Sequence, residues 1–393
     1  MKIAITNATT WPWVRRGAER FINEFARFLA GRGHDVTIIS TKPGAGETHV
    51  QNGYRTICHR RLWHPVMGKA GLLEFHMFFF TVLYSLLKER YDVVFSLTFM
   101  DAFAAILTQY ITKAPCVFCV NGLPPKVQYF RSLTMKGAVF GAAVRRAGAV
   151  VAISEYVREY LRQRWGRGGD RLPIPVDLDS FGKPDKAAGG APLIVCAAAL
   201  DDRRKGGDAL FAAFAELKLR VPGVKLLVAY DVPEEAQREL LDLVPAAFRD
   251  DIEFRPVAGA LPEILARATI TVLPSLWEAY GMLVIESFAA GTPVVATRQG
   301  ALPEHFPLPE LGCLFDPGPD AEETAAVTNT RGLAQAMEDC LQLAGQADTS
   351  EVCRRFAERY SWEALGPSYE RLMADLLGAG GKGATAGISA CGS

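Results

Sequence analysis

The stretch that decides the fold runs from Ile270 to Val295 and reads Ile270-Thr-Val-Leu-Pro274-Ser-Leu-Trp-Glu278-Ala-Tyr-Gly281-Met-Leu-Val-Ile-Glu286-Ser-Phe-Ala-Ala-Gly291-Thr-Pro-Val-Val295. Its first four residues are apolar and predict a buried strand that ends at Pro274. Residues 282–290 predict a helix that Gly291 closes. Glu278 and Glu286 are therefore expected at the carboxyl end of a strand and about one turn into the next helix.

Two carboxylates at this position are well placed to contact a ligand. In open parallel sheets, ligands bind outside the carboxyl ends of the strands, where the N–H groups at a helix start favour an anion such as a diphosphate. Carboxylates beside an anion site can accept hydrogen bonds from sugar or ribose hydroxyls. The alternative is that Glu278 caps the helix and Glu286 lies on a solvated face.

Strand-like and helix-like runs alternate along most of the chain, which predicts βαβ units and parallel sheets. The first series includes Ile3 to Thr6, Ala18 to Leu29, Val36 to Ser40 and Cys116 to Val120. A second series begins at Leu193, after a stretch rich in Gly, Pro and charge that is typical of a linker. We therefore expect an α/β protein with two doubly wound domains.

The composition limits the classes of function. The 393 residues suffice for two domains, and Lys plus Arg equals Asp plus Glu at 43 each, so no net charge favours nucleic acid. The eight cysteines are scattered and several lie in apolar runs, which indicates buried thiols in a reducing compartment. Residues 1–6 begin a strand rather than a signal sequence. A cytoplasmic location is expected, with peripheral contact at the inner membrane face as an option.

Two further turns could approach a ligand. Gly17 stands at a helix start after the first strand, where it makes either a simple tight turn or a close backbone approach to a ligand. After the strand at Leu193 comes a turn with Arg203, Arg204, Lys205 and Gly206, which could clamp a diphosphate. A basic loop of this kind can also be merely solvated.

Other motifs are absent from the sequence. It contains no G-x-S-x-G, no P-loop and no G-x-G-x-x-G in the first turn, which disfavours the common hydrolases, nucleotide triphosphatases and nicotinamide oxidoreductases. None of the six histidines pairs at metal-ligand spacing. His305 follows the strand after Glu286 and could lie near the ligand crevice, but a surface position is favoured.

An ordered set of blocks resembles the retaining glycosyltransferases of family 4. The blocks are Gly17-Ala-Glu-Arg, Gly33-His-Asp-Val, Asn121-Gly, Val151-Ala-Ile-Ser, Ile174-Pro-Val-Asp, Lys205-Gly, Pro274-Ser, Glu278 to Glu286 and Gly291-Thr-Pro-Val-Val. The resemblance implies the GT-B architecture of two facing Rossmann-like domains with a central cleft. It also implies a nucleotide-sugar donor, UDP- or GDP-linked, with no metal ion and no cofactor.

The resemblance assigns boundaries as well. Residues 1–182 would form the acceptor-binding domain and residues 193–360 the nucleotide-sugar-binding domain, joined by the linker 183–192. A helix over 361–378 would cross back to the first domain, and residues 379–393 would form a disordered tail.

Residue roles follow from the resemblance, position by position. Glu278 would hold the donor sugar, Glu286 the ribose, and Lys205 with Arg203 or Arg204 the diphosphate. The remaining donor-binding positions would be Gly17, Arg255, Val257, Tyr280, Gly281, Met282 and Leu283.

The sequence departs from the family pattern at some of these sites. Asn121 stands where the family often has a histidine in the sugar site; an asparagine can bind a hydroxyl but cannot act as an acid or base. The family's Gly-Arg before the Lys-Gly turn is replaced by Ala198-Ala199-Leu200, which leaves the phosphate arginine open between Arg203 and Arg204.

The acceptor would be a hydroxyl-bearing sugar, a lipid-linked sugar or a small molecule, in glycan, glycolipid or glycosylated-metabolite biosynthesis. The segment Leu72 to Tyr84, with Phe75, Phe78, Phe79 and Phe80, could meet a lipid-linked acceptor at a membrane, but a buried helix is favoured because the positive charges of an interfacial helix are missing. The competing functions are a GT-B epimerase or phosphorylase and a non-catalytic bilobal sugar-binding protein.

Overall fold

The strands of the computed structural model form two separate sheets. The structure describes residues 1–14, 16–61, 72–123, 135–182, 190–256 and 259–379. The predicted tail beyond Ala379, most of the predicted linker and Val257 lie outside these residues. The prediction of two doubly wound α/β domains is confirmed.

The first sheet has eight described strands in the order β3-β4-β2-β1-β5-β6-β7-β8. Only the pairing of β3 with β4 is antiparallel within it. The strands are β1 (Lys2–Thr6), β2 (Asp35–Lys42), β3 (Glu47–Gln51), β4 (Tyr54–Arg60), β5 (Val93–Ser96), β6 (Cys116–Val120), β7 (Ala149–Ala152) and β8 (Asp170–Arg171).

Five helices accompany this sheet: α1 (Gly17–Gly31), α2 (Leu72–Lys88), α3 (Phe99–Thr112), α4 (Met135–Arg146) and α5 (Glu155–Trp165). Phe21, Ile22, Phe25 and Leu29 form the apolar face of α1 and are fully buried, whereas Phe28, which recurs at the same helical spacing, is half-buried. The ring of Phe25 meets that of Phe95 on β5 edge to face, with the centroids 4.9 Å apart. This contact fixes α1 on the sheet and places Gly17 at the edge where β1 ends.

The second sheet has six described strands, all parallel, in the order β11-β10-β9-β12-β13-β14. They are β9 (Leu193–Cys196), β10 (Lys225–Val228), β11 (Ile252–Phe254), β12 (Ile270–Leu273), β13 (Val294–Thr297) and β14 (Gly312–Phe315). The helices that follow in the chain are α6 (Gly207–Lys218), α7 (Glu234–Asp242), α8 (Leu261–Arg267), α9 (Met282–Ala289), α10 (Ala321–Thr324), α11 (Thr330–Ala344), α12 (Thr349–Ala357) and α13 (Trp362–Ala379).

Two compact units contain these elements. Unit 1 comprises the described residues of Met1–Ile153, Val157–Leu172 and those from Leu365 onward, and unit 2 comprises those of Ser154–Tyr156 and Pro173–Ala364. Tyr369 of α13 is 1% exposed because it packs among the rings of Phe21, Phe25 and Phe95. In the described part of the chain, no helix is long and apolar enough to cross a bilayer.

Candidate functional site

Two loops of unit 2 lie side by side at the carboxyl edge of the second sheet. The first follows β9 and the second follows β12, and these two strands are direct neighbours, with Ile194 opposite Ile270. The first loop includes a short 3-10 turn at Arg203–Lys205 and the second carries Glu278. The strand order thus brings together two motifs that are 73 residues apart in the sequence.

A glycine allows these loops to touch. Gly206 has a φ of +71°, and a Cβ atom there would overlap the carbonyl oxygen of Pro274. The N–H of Leu276 also donates to the carbonyl of Arg204, with N and O 2.8 Å apart. Gly206 therefore serves close approach between two backbones and not only the turn itself.

Lys205 and Glu278 form an ion pair between the loops. The Lys205 Nζ lies 2.6 Å from the Glu278 Oε1, and the side chains are 28% and 17% exposed. A partly exposed ammonium and a partly exposed carboxylate are thus in contact at the carboxyl edge of the sheet. The ammonium can bind a phosphate oxygen and the carboxylate can accept hydrogen bonds from hydroxyl groups.

The two neighbouring arginines differ in their contacts. Arg204 is bound to Asp202, with Nε 2.9 Å from Oδ1, and the Asp202 carboxylate also accepts the N–H of Arg204. Burial of Asp202 raises the pKa of its carboxyl, but its bonds to Arg204 outweigh this effect and hold the pKa below its usual value. Arg203 is exposed, and within the described residues its side chain makes neither a hydrogen bond nor an ion pair. Of the two, Arg203 is the guanidinium available to a ligand.

The second loop leads into α9 through a glycine in the left-handed region. Gly281 has a φ of +88°, and a Cβ atom there would lie 2.6 Å from Cδ2 of Leu302. Met282 and Leu283 follow in the first turn of α9, where backbone N–H groups have no partner within the helix. These N–H groups lie on the same loop as Glu278, as the sequence predicts.

Glu286 does not lie on a solvated face. It is 2% exposed on α9, and the next residue, Ser287, donates a hydrogen bond from its Oγ to Thr271 on β12 at 2.6 Å. A carboxylate is costly to bury, so its place here indicates a purpose other than solubility.

Tyr280 and His305 support the loop from within. The Tyr280 Oη donates to the carbonyl of Ile174 at 3.0 Å, and the His305 Nε2 lies 2.6 Å from the carbonyl oxygen of Tyr280. His305 is 2% exposed, so its expected surface position is wrong. The one signal in the sequence is that His305 follows the next strand after Glu286, β13, so the two elements reach the same edge of the sheet.

The remaining candidates lie elsewhere. Gly17 and Asn121 belong to unit 1, where they follow β1 and β6 at the carboxyl edge of the first sheet. Arg255 follows β11, at the border of the second sheet, and its Nε lies 3.5 Å from Glu253. Within the described residues, no group of three or more His, Cys, Asp or Glu side chains could hold a metal ion.

Two family models match consecutive parts of the chain. Residues 15–179 match the model described as Glycosyltransferase Family 4, and residues 191–342 match the model described as Glycosyl transferases group 1. Together the two models span most of the sequence, with the break between them at the predicted linker.

Curated relatives align over part of their length. The chain is 24% identical to D-inositol 3-phosphate glycosyltransferase of Pseudarthrobacter chlorophenolicus, over 76% of this chain and 78% of that protein. It is 29% identical to the same-named protein of Segniliparus rotundus, over 57% and 51%. It is 32% identical to GDP-mannose-dependent alpha-(1-6)-phosphatidylinositol monomannoside mannosyltransferase of Mycolicibacterium smegmatis, over 48% and 54%. The chain thus spans about half the length of the last two relatives.

Solved structures share the fold over nearly the whole chain. Sucrose-phosphate synthase from Thermosynechococcus elongatus superposes with a TM-score of 0.77 at 20% identity, covering 96% of this chain and 99% of that one. Anabaena HepE in complex with UDP and glucose gives a TM-score of 0.73 at 17% identity, covering 95% and 99%. At these identities the likeness concerns the fold alone.

Proposed function

We propose that this chain, which belongs to glycosyltransferase family 4 and has the GT-B fold, is a retaining glycosyltransferase that moves a sugar from a nucleotide-diphosphate donor to a hydroxyl group. The observation that carries the proposal is the contact between Lys205 and Glu278 at the carboxyl edge of the second sheet. A nucleotide-sugar presents a diphosphate next to sugar hydroxyls, and this pair presents a cation next to a carboxylate.

Donor binding would give Lys205 and Glu278 different partners. The diphosphate competes with Glu278 for the Lys205 ammonium, while the sugar hydroxyls supply new donors to the Glu278 carboxylate. Arg203 and the N–H groups of Met282 and Leu283 would complete the diphosphate site. Lys205 and Glu278 would each keep a hydrogen-bonding partner in both states, so neither of these two charges is unpaired before the donor arrives.

The nucleoside would bind further along the same edge. Glu286 would accept hydrogen bonds from the ribose hydroxyls through its carboxylate oxygens. The nucleobase would lie against the backbone from Arg255 to Val257. Gly17 and Asn121 of unit 1 would act on the diphosphate and the donor sugar.

The reaction passes through an oxocarbenium-like state. The bond between the anomeric carbon and the diphosphate oxygen breaks, and the acceptor oxygen bonds to the same face of that carbon. The acceptor proton passes to the departing phosphate oxygen, so no protein base is needed and an asparagine at position 121 is compatible with turnover. Lys205, Arg203 and the helix N–H groups stabilise the negative charge of the leaving group.

Because protein cations stabilise the leaving group in place of a metal ion, we expect turnover to persist when EDTA removes free metal ions.

The names of the relatives suggest which donors to test first. One relative is named for GDP-mannose, and HepE was crystallised with UDP and glucose. UDP- and GDP-linked hexoses are therefore our proposed donors. A sugar, a cyclitol phosphate or a lipid-linked hydroxyl is the proposed acceptor class, since two relatives are named for inositol 3-phosphate.

A hydrolysis assay tests the proposal. Incubation with radiolabelled UDP- and GDP-hexoses should show slow release of the sugar from one donor. Lys205→Ala and Glu278→Ala should each lower this rate by about 100-fold or more, as the loss of one group that stabilises developing charge does elsewhere. Lys225→Ala at the start of β10 and Glu239→Ala on α7 are the matched controls, because both side chains are exposed away from the carboxyl edge.

The outcomes separate the candidates. Loss of hydrolysis in the first pair and normal rates in the controls supports the transferase. Equal rates in all four variants would contradict it, and tight donor binding without turnover would favour the non-catalytic sugar-binding protein. An epimerised sugar in the product would favour the epimerase.

A further inference from the structure

Helices α2 and α3 expose a set of large apolar side chains that the proposed reaction does not use. On α2 these are Phe80, Tyr84 and Leu87, which are 56%, 56% and 48% exposed. On α3 they are Leu107, Tyr110 and Ile111, which are 39%, 69% and 65% exposed. The spacings of three and four residues put each set on one side of its helix. We call these six residues the apolar face.

The exposed residues of α2 and those of α3 lie next to each other. Phe79 on α2 and Phe103 on α3 have ring centroids 6.0 Å apart, so the helices touch just beside the exposed residues. The opposite side of α2 is buried, and Phe78, Val82 and Leu86 on that side are at most 2% exposed. The exposed residues are therefore additional to the side chains that attach α2 to unit 1. The expectation of a buried helix holds for one side of α2 only.

Exposed cations lie at the C-terminal ends of α2, α3 and α4. Lys88 ends α2, Lys113 follows α3, and Arg145 and Arg146 lie in the last turn of α4. The Lys88 Nζ lies 5.7 Å from the centroid of the Tyr84 ring, so charge and apolar face are in direct contact. Cations at helix ends complement the helix dipole in any protein. The exposed apolar residues beside them require a further explanation, because isolated surface apolar residues are normal but contiguous ones mark an interaction site.

The topology places the cations together. In parallel βαβ units, each crossover helix returns the chain to the edge where strands begin. Helices α2, α3 and α4 precede the parallel strands β5, β6 and β7, which are neighbours in the sheet. Their last turns therefore lie at one edge, opposite the edge that carries Gly17 and Asn121. A partner at the apolar face would leave those two residues uncovered.

We propose that the apolar face docks on the surface of an anionic lipid membrane, with Lys88, Lys113, Arg145 and Arg146 at the level of the headgroups. Phe80, Leu87 and Ile111 would enter the boundary of the acyl chains, and the two tyrosines would lie at the polar interface, where such rings are enriched. The segment from Leu72 to Tyr84 contains no Lys or Arg, but the structure supplies cations from the C-terminal ends of α2, α3 and α4. An anionic surface attracts each nearby Lys or Arg.

A second copy of the chain suits the apolar face less well. In a two-fold symmetric dimer the same patch is used twice, so the cations of both copies would gather around one small contact. Like charges brought together in this way oppose association, whereas anionic headgroups neutralise them. The charge around the apolar face thus favours the membrane.

Vesicle sedimentation with the full chain tests the proposal. Vesicles of equal parts phosphatidylglycerol and phosphatidylcholine should bind the protein, and pure phosphatidylcholine should bind it far less. Phe80→Ser with Ile111→Ser should abolish binding. Lys88→Gln with Lys113→Gln should lower the partition coefficient about 25-fold, from the attraction of each cation to an anionic surface. The matched control is Leu219→Ser with Leu243→Ser, which removes two exposed leucines from unit 2.

Thermal unfolding and donor hydrolysis of every variant show whether it is folded, since none of these substitutions touches the proposed site. The result that supports the proposal is loss of vesicle binding by Phe80→Ser with Ile111→Ser, weaker binding by Lys88→Gln with Lys113→Gln, and unchanged binding by the control. Absence of vesicle binding by the natural chain at low salt overturns it. A dimer in sedimentation velocity that Phe80→Ser with Ile111→Ser makes monomeric, without vesicle binding, also overturns it.

Discussion

His305 is the residue whose role differs most from its expected one. Its Nε2 donates to the carbonyl of Tyr280, and its ring lies edge to face on the Tyr280 ring with the centroids 4.9 Å apart. Through this bond His305 fixes the backbone two residues after Glu278. A buried histidine that holds a binding loop acts on the ligand indirectly, by positioning.

Two substitutions at this position separate the hydrogen bond from the ring. We expect His305→Phe to raise the donor KM about fivefold, because the loop loses about 1 kcal/mol of support from one hydrogen bond. His305→Gln retains a donor and should restore most of the affinity, although it loses the ring packing. Donor titration of both variants checks this. A greater loss with Gln than with Phe would show that packing, not the hydrogen bond, holds the loop.

At the same scale, the sequence predicted some of the site and could not predict the rest. Lys205 and Glu278 are recognisable because their residue types and their positions after strands both point to a ligand. The pairing of Arg204 with Asp202 depends on side-chain geometry within a short turn, which the basic composition of the loop does not reveal. The burial of Glu286 depends on elements packed over α9 that lie far away in the sequence.

Among the elements, the contact between the two loops depends on Gly206. We expect Gly206→Ala to destabilise unit 2 by about 2 kcal/mol, because a side chain at positive φ costs about 1–2 kcal/mol and the added Cβ also meets the Pro274 carbonyl. The loops would separate, and donor hydrolysis should fall with the loss of the ion pair between Lys205 and Glu278. Chemical denaturation and the hydrolysis assay measure the two effects.

Gly223 provides the control for this prediction. It lies in the exposed turn before β10, and a Cβ atom there would meet nothing within 4 Å. Gly223→Ala should change the free energy of unfolding by a few tenths of a kcal/mol and leave hydrolysis intact. If Gly206→Ala behaves like Gly223→Ala, close backbone approach is not what positions the pair.

The elements that the sequence missed share a physical reason. Strands β1, β6 and β12 are continuous apolar runs that any periodicity analysis detects. Strand β3 is mostly exposed and reads Glu-Thr-His-Val-Gln, because it lies at the border of the sheet and buries almost nothing. Helix α2 is apolar on most sides, so its sequence could not show which side meets the sheet and which side meets solvent.

For the whole molecule, each unit has its own sheet and its own buried core, so unfolding need not be a single transition. A ligand that binds one unit stabilises that unit by mass action. In unit 1, the buried carboxyl group of Asp101 links two strands: it accepts a hydrogen bond from the Thr6 Oγ1 at 2.8 Å and one from the N–H of Leu97, just after β5, at 3.3 Å. Its titration should therefore be visible in the unfolding of unit 1.

Asp101 makes this unit less stable as the pH rises. Burial raises the pKa of its carboxyl from 3.8 to about 7, despite the hydrogen bonds it accepts. Between these values the folded state binds the proton and the unfolded chain does not, so this contribution to the free energy of unfolding is complete below about pH 4 and decreases until about pH 7. Asp101→Asn cannot ionise, so the difference in unfolding midpoint between the natural chain and Asp101→Asn should shift against the natural chain across this window and stay constant above it. Calorimetric scans in steps of half a pH unit measure this difference. A difference that is constant throughout, or that shifts in favour of the natural chain with rising pH, would show that the hydrogen bonds from Thr6 and Leu97 keep the carboxylate ionised in the folded unit.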